Sequence, residues 1–422
     1  MKFKLQPLER RWVLYDVGNS AFTLLVSTIM PIYFNSLADA EGLSEVSYLA
    51  YWGYATSIAT LMVALCGPVL GTISDFPGWK KKLFSVSVLV GALGCVGLGV
   101  MSSWLWFLVL FVLAKSAYSV SLVIYDSMLT DITVAERMDK VSANGYAWGY
   151  IGSCIPFVLS LVLVLCYESL GMSINVAMAL AFLLIARWWL LLSVPLWRSY
   201  EQKHSVPAQG SRLGESFRRL GGVFSELSHN RKALFFLISF FFYIDGVYTI
   251  IDMATAYGTA LGLDTTGLLL ALLVTQIVAF PAALLFGRLT ERFSSANLIL
   301  VCIGAYFLIT IYGMWMKAQY QFWVLAVCVG IFQGAIQSMS RAYFARLIPP
   351  EKSGEYFGLY DICGKGASFL GTITVSAVSQ ITGSVNLGVG ALAFMFAVGA
   401  AFFIQTVRQV SPNERKEAIP AR

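Results

Sequence analysis

The sequence predicts an all-α integral membrane protein with twelve transmembrane helices in two pseudo-symmetric six-helix halves. Of its 422 residues, 58% are hydrophobic and only 12% are charged, against about 25% charged in soluble domains. The apolar residues form twelve runs, and about 20 apolar residues suffice to cross a bilayer. In addition, a short polar break, GTISDFPGWKKK at 71–82, has a weaker copy, GRLTER at 287–292, about 216 residues later.

The twelve runs define the predicted spans in chain order. Because the first run carries Asp16 and Asn19 and no small-residue cleavage site follows it, we expect it to be retained rather than removed as a signal peptide. The first six spans are predicted at residues 12–34, 48–70, 83–101, 104–126, 142–166 and 174–197. The other six are predicted at 233–258, 266–287, 296–316, 322–344, 357–381 and 386–406.

The charge of the loops predicts how the chain is oriented. Loops rich in lysine and arginine stay on the cytoplasmic side. Basic residues are concentrated in the predicted loops of one side and in both terminal segments. The predicted loops of the opposite side contain a single basic residue, Lys317. We therefore expect both termini in the cytoplasm, and the net charge of +6 calls for no nucleic-acid partner. The predicted organisation is a first half at 1–197, a cytoplasmic linker at 198–232 and a second half at 233–422.

The polar residues do not form the patterns of an enzyme. Both histidines, His204 and His229, lie in the predicted linker. We find no cluster with metal-ligand spacing, no Ser-His-Asp set with plausible geometry and no phosphate-binding loop, so we predict no metal, no cofactor and no enzymatic activity. Two halves with matching hydropathy and a matching polar break are instead typical of transporters built from repeats.

The polar break resembles the signature loop between the second and third helices of the major facilitator superfamily. Phe76 departs from that pattern, since an arginine is usual at its position. The residues that carry the resemblance are Gly71, Asp75, Gly78, Lys80 and Lys81.

Two further stretches resemble the vacuole-effluxer-like branch of that superfamily, whose fungal member exports amino acids from the vacuole during autophagy. They are YDVGNSAF at 15–22 and GAIQSMSRAYFARLIPPEKSGEYFGLYDICGKGASFLG at 334–371. The resemblance covers nearly the whole chain. It implies the major facilitator fold and alternating access, and the compact loops favour a bacterial inner-membrane protein.

For the polar break, the resemblance implies a latch between the two halves in the outward-open state. Its acid, Asp75, is expected to face the start of the eleventh helix, and Glu291 is its expected counterpart toward the fifth. A small Gly71 permits close helix approach, and Gly78 permits a tight turn. We predict conformational control, not substrate contact, for Gly71, Asp75, Gly78, Lys80, Glu291 and Arg292.

Charged side chains inside the spans mark the candidate binding and coupling residues, since each costs about 2.5–3.5 kcal/mol on insertion scales. Asp245 and Asp252 are seven residues apart on one face of the seventh span, and either could exchange protons or bind an ammonium group. Lys115, near the middle of the fourth span, could hold a carboxylate of the substrate or balance Asp245. A structural ion pair is the other possibility. The full predicted set is Asp245, Asp252, Lys115, Tyr248, Gln333, Gln337 and Asn19.

A second group of charged residues is predicted near the cytoplasmic face. Acid–base pairs there could form an inner gate that opens when the halves rock apart. Static salt bridges or contacts with lipid headgroups are the alternative, and two members four residues apart could pair with each other on one helix face. The predicted gate consists of Asp16, Asp126, Arg341, Asp361 and Lys365.

These observations predict a secondary transporter of a small solute that works by alternating access. We expect a monomer in the lipid bilayer that exports an amino acid or a similar zwitterion, with proton coupling or by facilitated diffusion. Two alternatives stay open: export of drug-like or other metabolites, and a membrane receptor on a transporter fold that moves no solute.

Overall fold

The structure, a computed structural model, describes residues 3–43, 45–207 and 212–409. Within them the chain is helical nearly throughout, with short 3₁₀ turns at Ala135–Arg137 and Pro350–Lys352. The helices of the first part are α1 (Pro7–Ser27), α2 (Ile29–Ala40), α3 (Glu45–Ser74), α4 (Trp79–Leu98), α5 (Trp104–Ser127), α6 (Leu129–Ile132), α7 (Met138–Leu165) and α8 (Ile174–Ser199). They are followed by α9 (Arg212–His229), α10 (Arg231–Ala260), α11 (Thr265–Leu289), α12 (Ser295–Gly313), α13 (Gln319–Leu347), α14 (Ser353–Thr382) and α15 (Val385–Arg408).

The predicted membrane spans are present as helices. Eleven stretches of the described chain are long and apolar enough to cross a membrane, and the 30-residue α14 occupies the position of the predicted eleventh span. The first span differs from the prediction because it is broken at Thr28, where φ is −130° and ψ is −69°. The Thr28 hydroxyl donates to the carbonyl of Leu24 at 2.5 Å, and such side-chain bonds to the preceding turn bend helices.

The long helices pack as two groups. In the N-terminal group, α1 packs against α7 and α8, and α5 packs against α3 and α4. In the C-terminal group, α10 packs against α14 and α15, and α13 packs against α11 and α12. The groups meet where α3 packs on α14 and where α7 packs on α11 and α13. Side chains that project between the groups are therefore the ones that can respond to a change in their relative position.

The segment between the two groups contains a helix that the sequence did not predict. Within residues 198–232, the predicted linker, α8 continues to Ser199, residues 200–207 form no helix, and α9 packs on α3. On α9, Val223 and Leu227 are buried while Arg218 and Ser225 are exposed. This one-sided pattern is that of an amphipathic surface helix.

One end of the helical bundle carries most of the charged contacts described below. It includes the α3–α4 turn with Asp75, the start of α14, the start of α7 and the end of α13. We call it the Asp75 end, and the opposite end the far end.

Candidate functional site

Asp75 binds the first turn of α14. Its two carboxylate oxygens accept the backbone N–H groups of Gly354 at 2.8 Å and Glu355 at 2.9 Å, which are among the N–H groups that a helix start leaves unpaired. Lys80 Nζ lies 3.6 Å from the same carboxylate and donates to Ser353 Oγ at 2.8 Å. Burial raises the pKa of Asp75, an effect opposed by Lys80 and the two N–H groups. The contact implied by the family resemblance, an acid facing the start of the eleventh span, is present.

Two glycines shape this contact. A Cβ atom on Gly71 would lie 2.2 Å from the carbonyl oxygen of Gly354, so the two backbones can meet only without a side chain here. Gly78 has φ of +74°, in the left-handed region that favours glycine. In the repeated loop, Glu291 accepts Lys140 Nζ at 2.6 Å, while Arg292 is exposed. Glu291 thus contacts the beginning of α7, the fifth span, as expected.

The guanidinium of Arg341 joins the two helix groups at the same end. It is 1% exposed. Its Nη1 donates to Asp126 Oδ1 at 2.9 Å and its Nη2 to Asp16 Oδ2 at 3.2 Å. Its Nε and Nη2 also donate to the hydroxyl and carbonyl oxygens of Ser142. The sequence predicted three of these residues as one cluster, and the structure brings them together; Ser142 was not predicted.

Aromatic rings enclose this guanidinium on its remaining sides. The ring centroids of Tyr146 and Trp12 lie 4.3 and 4.6 Å from its central carbon, distances at which a cation is attracted by a ring face. The helix that carries Tyr146 can approach because of Gly145, where a Cβ atom would lie 2.3 Å from Asp16 Oδ2. The arrangement is a closely fitted cation site built from both groups.

The other two predicted gate residues lie on α14. Asp361 is half-buried, and its negative charge acts on Asp126 of the Arg341 cluster. Lys365 lies in α14, but its side chain falls outside the described part of the structure, so its predicted pairing with Asp361 stays a prediction.

A second ion pair between the groups was not predicted. Arg346 of α13 binds the carboxylate of Asp139 in α7 through both terminal nitrogens, at 2.8 and 3.0 Å. Ser295, the first residue of α12, donates to the same carboxylate at 2.7 Å. These residues lie just outside the apolar runs, where a loop charge is ordinarily solvated. One indication of this pair was present in the sequence. Asp139 lies just before the predicted fifth span and Arg346 just after the predicted tenth span, so both are on the same predicted side of the membrane.

Two opposite charges, one on each helix group, interact electrostatically within the bundle. Lys115 of α5 is half-buried, and its charge acts on Asp252 of α10. The Asp252 side chain is exposed in the protein structure although it lies in a predicted span. Lys115 therefore interacts electrostatically with Asp252, and whether Lys115 also balances Asp245 stays a prediction.

Hydrogen bonds run from the Arg341 cluster to Tyr118, about one turn after Lys115 on α5. Asn19, 3% exposed, donates to the carbonyl of Tyr15 at 3.0 Å and to Asp16 Oδ1 at 3.4 Å. The Tyr118 hydroxyl in turn donates to Asn19 Oδ1 at 3.4 Å. Tyr248 of α10 is half-buried, between the two acids of that helix in sequence.

Asp245 has a different environment from Asp252 in spite of their seven-residue spacing. Its side chain is fully buried, and its Oδ1 accepts the backbone N–H of Gly371 at 2.9 Å and the Thr249 hydroxyl at 3.3 Å. Its Oδ2 has no hydrogen-bond partner within the described chain. Asp245 therefore contacts α14 through Gly371, a contact that helical spacing alone did not reveal.

The two glutamines of α13 also differ. Gln337 accepts the Tyr150 hydroxyl of α7 at 2.8 Å, which joins the two groups. Gln333 is 5% exposed, and its Oε1 has no partner within the described residues. It lines a mostly apolar cavity of about 100 Å³ inside the C-terminal group, together with Thr249, Met253, Tyr257 and Phe322.

The fold and these contacts define a membrane transporter of the major facilitator superfamily. The family model described as "Vacuole effluxer Atg22 like" matches residues 8–136 and 129–415. The chain belongs to this family.

The relatives and the solved structures agree with this assignment. The chain is 38% identical to the uncharacterized MFS-type transporter YxiO of Bacillus subtilis (strain 168), over 98% of both chains. It is 26% identical to autophagy-related protein 22-2 of Emericella nidulans over 59% of this chain, which spans 48% of that longer relative. A bacterial homologue of the iron transporter ferroportin in its outward-facing state superposes with a TM-score of 0.71, at 14% identity, over 95% of this chain and 100% of that one. The Escherichia coli fucose:proton symporter also gives 0.71, at 16% identity, over 95% and 97%.

Proposed function

We propose that this transporter exports a small zwitterionic solute, in the first instance an amino acid, by alternating access. The observation that carries the proposal is the pair of opposite charges from the two helix groups. Lys115 is positioned to attract a carboxylate of the solute, and the exposed Asp252 to attract its ammonium group. Substrate sites between the two repeats, near the bilayer midplane, are typical of this architecture.

The direction and orientation form part of the same proposal. The positively charged loops of the sequence support a cytoplasmic Asp75 end and cytoplasmic termini, in the inner membrane of a bacterial cell. In the described conformation the latch and the Arg341 cluster join the groups at that end, so the solute would exchange with the far side. Export is supported by the family description as an effluxer. We expect the protein to work as a monomer.

Asp16, Asp126, Arg341, Asp361 and Lys365 are proposed to form the inner gate. When the groups rock apart at the Asp75 end, Arg341 must leave Asp16 and Asp126, since they belong to different groups. A buried guanidinium binds two carboxylates only in the closed arrangement, so these ion pairs favour that arrangement over the open one.

Asp245 is proposed to carry the coupled proton. One of its oxygens accepts two hydrogen bonds while the other, fully buried, has no donor within the described chain. An ionised oxygen in such a place is costly, and a proton on Oδ2 removes the charge. Movement of α14 against α10 during the transport cycle would change this environment.

The test is solute uptake into proteoliposomes of the purified protein, with a pool of labelled amino acids and with or without an imposed pH gradient. We expect uptake that follows the gradient. Asp252→Asn should abolish most of it, and Asp245→Asn should leave exchange but remove its dependence on the gradient. Asp39→Asn, which neutralises an exposed acid of α2, is the matched control.

Each outcome decides a separate part of the proposal. If uptake by the unmodified protein did not depend on the pH gradient, the proposed coupling role of Asp245 would be wrong. Absence of uptake for every amino acid would overturn the cargo assignment. Equal loss in Asp39→Asn and Asp252→Asn would show that loss of an acid has a general effect rather than one on the site.

A second candidate function, export of an apolar drug-like compound, is favoured by the cavity beside Gln333. Its walls are formed mainly by aliphatic and aromatic side chains, which suit an apolar molecule. Substituting Met253→Gln would reduce transport of such a compound while leaving amino-acid uptake intact, so transport of the two cargo classes by this variant distinguishes the candidates.

A further inference from the structure

The helix between the two groups, α9, brings a cation into the Asp75 latch. Arg219 Nη2 lies 2.7 Å from Glu355 Oε2 and 4.0 Å from Asp75 Oδ2. The contact is an ion pair, and neither terminal nitrogen of Arg219 has a hydrogen-bond partner within the described chain. The guanidinium also lies over the ring of Phe76, 5.6 Å from its centroid.

The charges of the latch show why this cation matters. Asp75 is 0% exposed and Glu355 is 1% exposed, and the backbone contacts of Asp75 bring these two acids to the same helix turn. Lys80, the other buried cation, is shared between Asp75 and Asp131. Without Arg219, Glu355 would face Asp75 with no salt bridge among the described contacts, since the nearby Lys352 is paired with Glu226.

The position of Arg219 on α9 also joins the two groups. Asp75 and Phe76 belong to the N-terminal group, whereas Glu355 is on α14 of the C-terminal group. Two turns further along α9, Glu226 accepts a hydrogen bond from Lys352 Nζ beside the start of α14. The buried face of α9, with Val223 and Leu227, packs on α3. Separation of α3 from α14 must therefore break the contacts of α9 on at least one side.

We propose that α9 is a clamp that holds the Asp75 end closed, and that Arg219 is its positioning residue, the cation placed between Asp75 and Glu355. The loop itself has a phenylalanine where its family motif usually has an arginine, and α9 supplies a guanidinium over that same ring. Arg219 contributes this charge only while the two groups are together at the Asp75 end. Its loss therefore shifts the balance between closed and open arrangements, whatever solute the protein carries.

The test compares Arg219→Ala with Arg218→Ala, which removes the same charge from the exposed neighbouring position of α9. Backbone hydrogen exchange is measured by mass spectrometry on the full chain in detergent. The N–H groups that bind Asp75 are protected only while the latch is closed, and their exchange rate rises with the open population. We expect exchange in the first turn of α14 to be roughly tenfold faster in Arg219→Ala, a usual size for such coupling, and unchanged in Arg218→Ala.

Two further measurements separate a clamp from a general loss of stability. Exchange in the middle of α12, far from the latch in the C-terminal group, should be unchanged in Arg219→Ala. The double variant Arg219→Ala with Glu355→Gln should recover most of the protection, because it also removes the acid left without a cation. Equal protection in the two single variants, faster exchange in α12 to the same extent, or no recovery in the double variant would each overturn the proposal.

Discussion

Arg341 of α13 and Asp126 of α5 are joined at 2.9 Å between the two helix groups. Asp16 of α1 binds the same guanidinium at 3.2 Å. Two acids of the N-terminal group thus share one cation of the C-terminal group in a buried site. Because the partners belong to different groups, the free energy of this cluster is available only when the Asp75 end is closed, which connects an ion pair directly to the conformation of the transporter.

Replacing Arg341→Gln should open the Asp75 end and lower thermal stability. Removal of one partner from a buried charge cluster costs about 3–5 kcal/mol, since Asp16 and Asp126 are left together without a cation. Thermal unfolding in detergent measures the loss. Arg288→Gln, at an exposed position near the end of α11, should change the unfolding temperature little; an equal decrease in both variants would contradict the prediction.

Gly145→Ala should disrupt the same cluster without changing any charge. The added Cβ atom would lie 2.3 Å from Asp16 Oδ2 and 3.0 Å from Arg341 Nη2, so Asp16 must move away from the guanidinium. We expect a loss of roughly 1–3 kcal/mol, as for other overpacked sites, in unfolding measurements.

The matched control for that substitution is Gly304→Ala, in α12. No atom lies within 4 Å of the position of its Cβ, and replacing a helical glycine by alanine there should stabilise the protein by about 0.4–1 kcal/mol. If both variants were stabilised, the close contact at Gly145 would not limit the packing of α7 against α1.

The helices were predictable from the sequence because membrane crossing imposes a length and a composition on each one. The predicted fifth span at 142–166 corresponds to α7 at Met138–Leu165, and the differences lie at the ends, where polar turns continue the helix. The break at Thr28 was not predictable, since it depends on one hydroxyl bonding to the preceding turn.

The site was predictable where a charge inside an apolar run called for a partner, as with Asp16, Asp126 and Arg341. It was not predictable where the partner lies outside the spans. Arg219 was part of a segment interpreted as a linker, and its contact with Glu355 depends on how α9 packs. The different environments of Asp245 and Asp252 depend on the neighbouring α14, because equal helical spacing does not fix which helix packs against each residue.

Acidification should weaken the contact between Lys140 and Glu291. The hydrogen bond from Lys140 lowers the pKa of Glu291 from its ordinary value of 4.5. A lowered carboxylate pKa contributes stability that is present above the ordinary value and is lost as the pH falls through the lowered one. Because Glu291 is exposed, the effect is small and is screened by salt.

Hydrogen exchange at the end of α11, measured at low ionic strength, checks this dependence. Protection should fall as the pH is lowered below roughly 4.5, after correction for intrinsic exchange, and Glu291→Gln should remove that step. A step of the same size in Glu291→Gln would assign it to another carboxylate.

Lys115 and Asp252 should show direct energetic coupling, whatever the cargo. Their charges act on each other across the two helix groups, and interacting charges usually give coupling of about 0.5–3 kcal/mol in a double-mutant cycle. Because the Asp252 side chain is exposed, we expect a value toward the lower end. The cycle uses Lys115→Gln, Asp252→Asn and their combination, with thermal unfolding as the measurement. Asp245→Asn combined with Lys115→Gln serves as the comparison and should be nearly additive. Coupling of Lys115 to Asp245 that exceeded its coupling to Asp252 would reverse this assignment, and Asp245 would then become the acid of the central site.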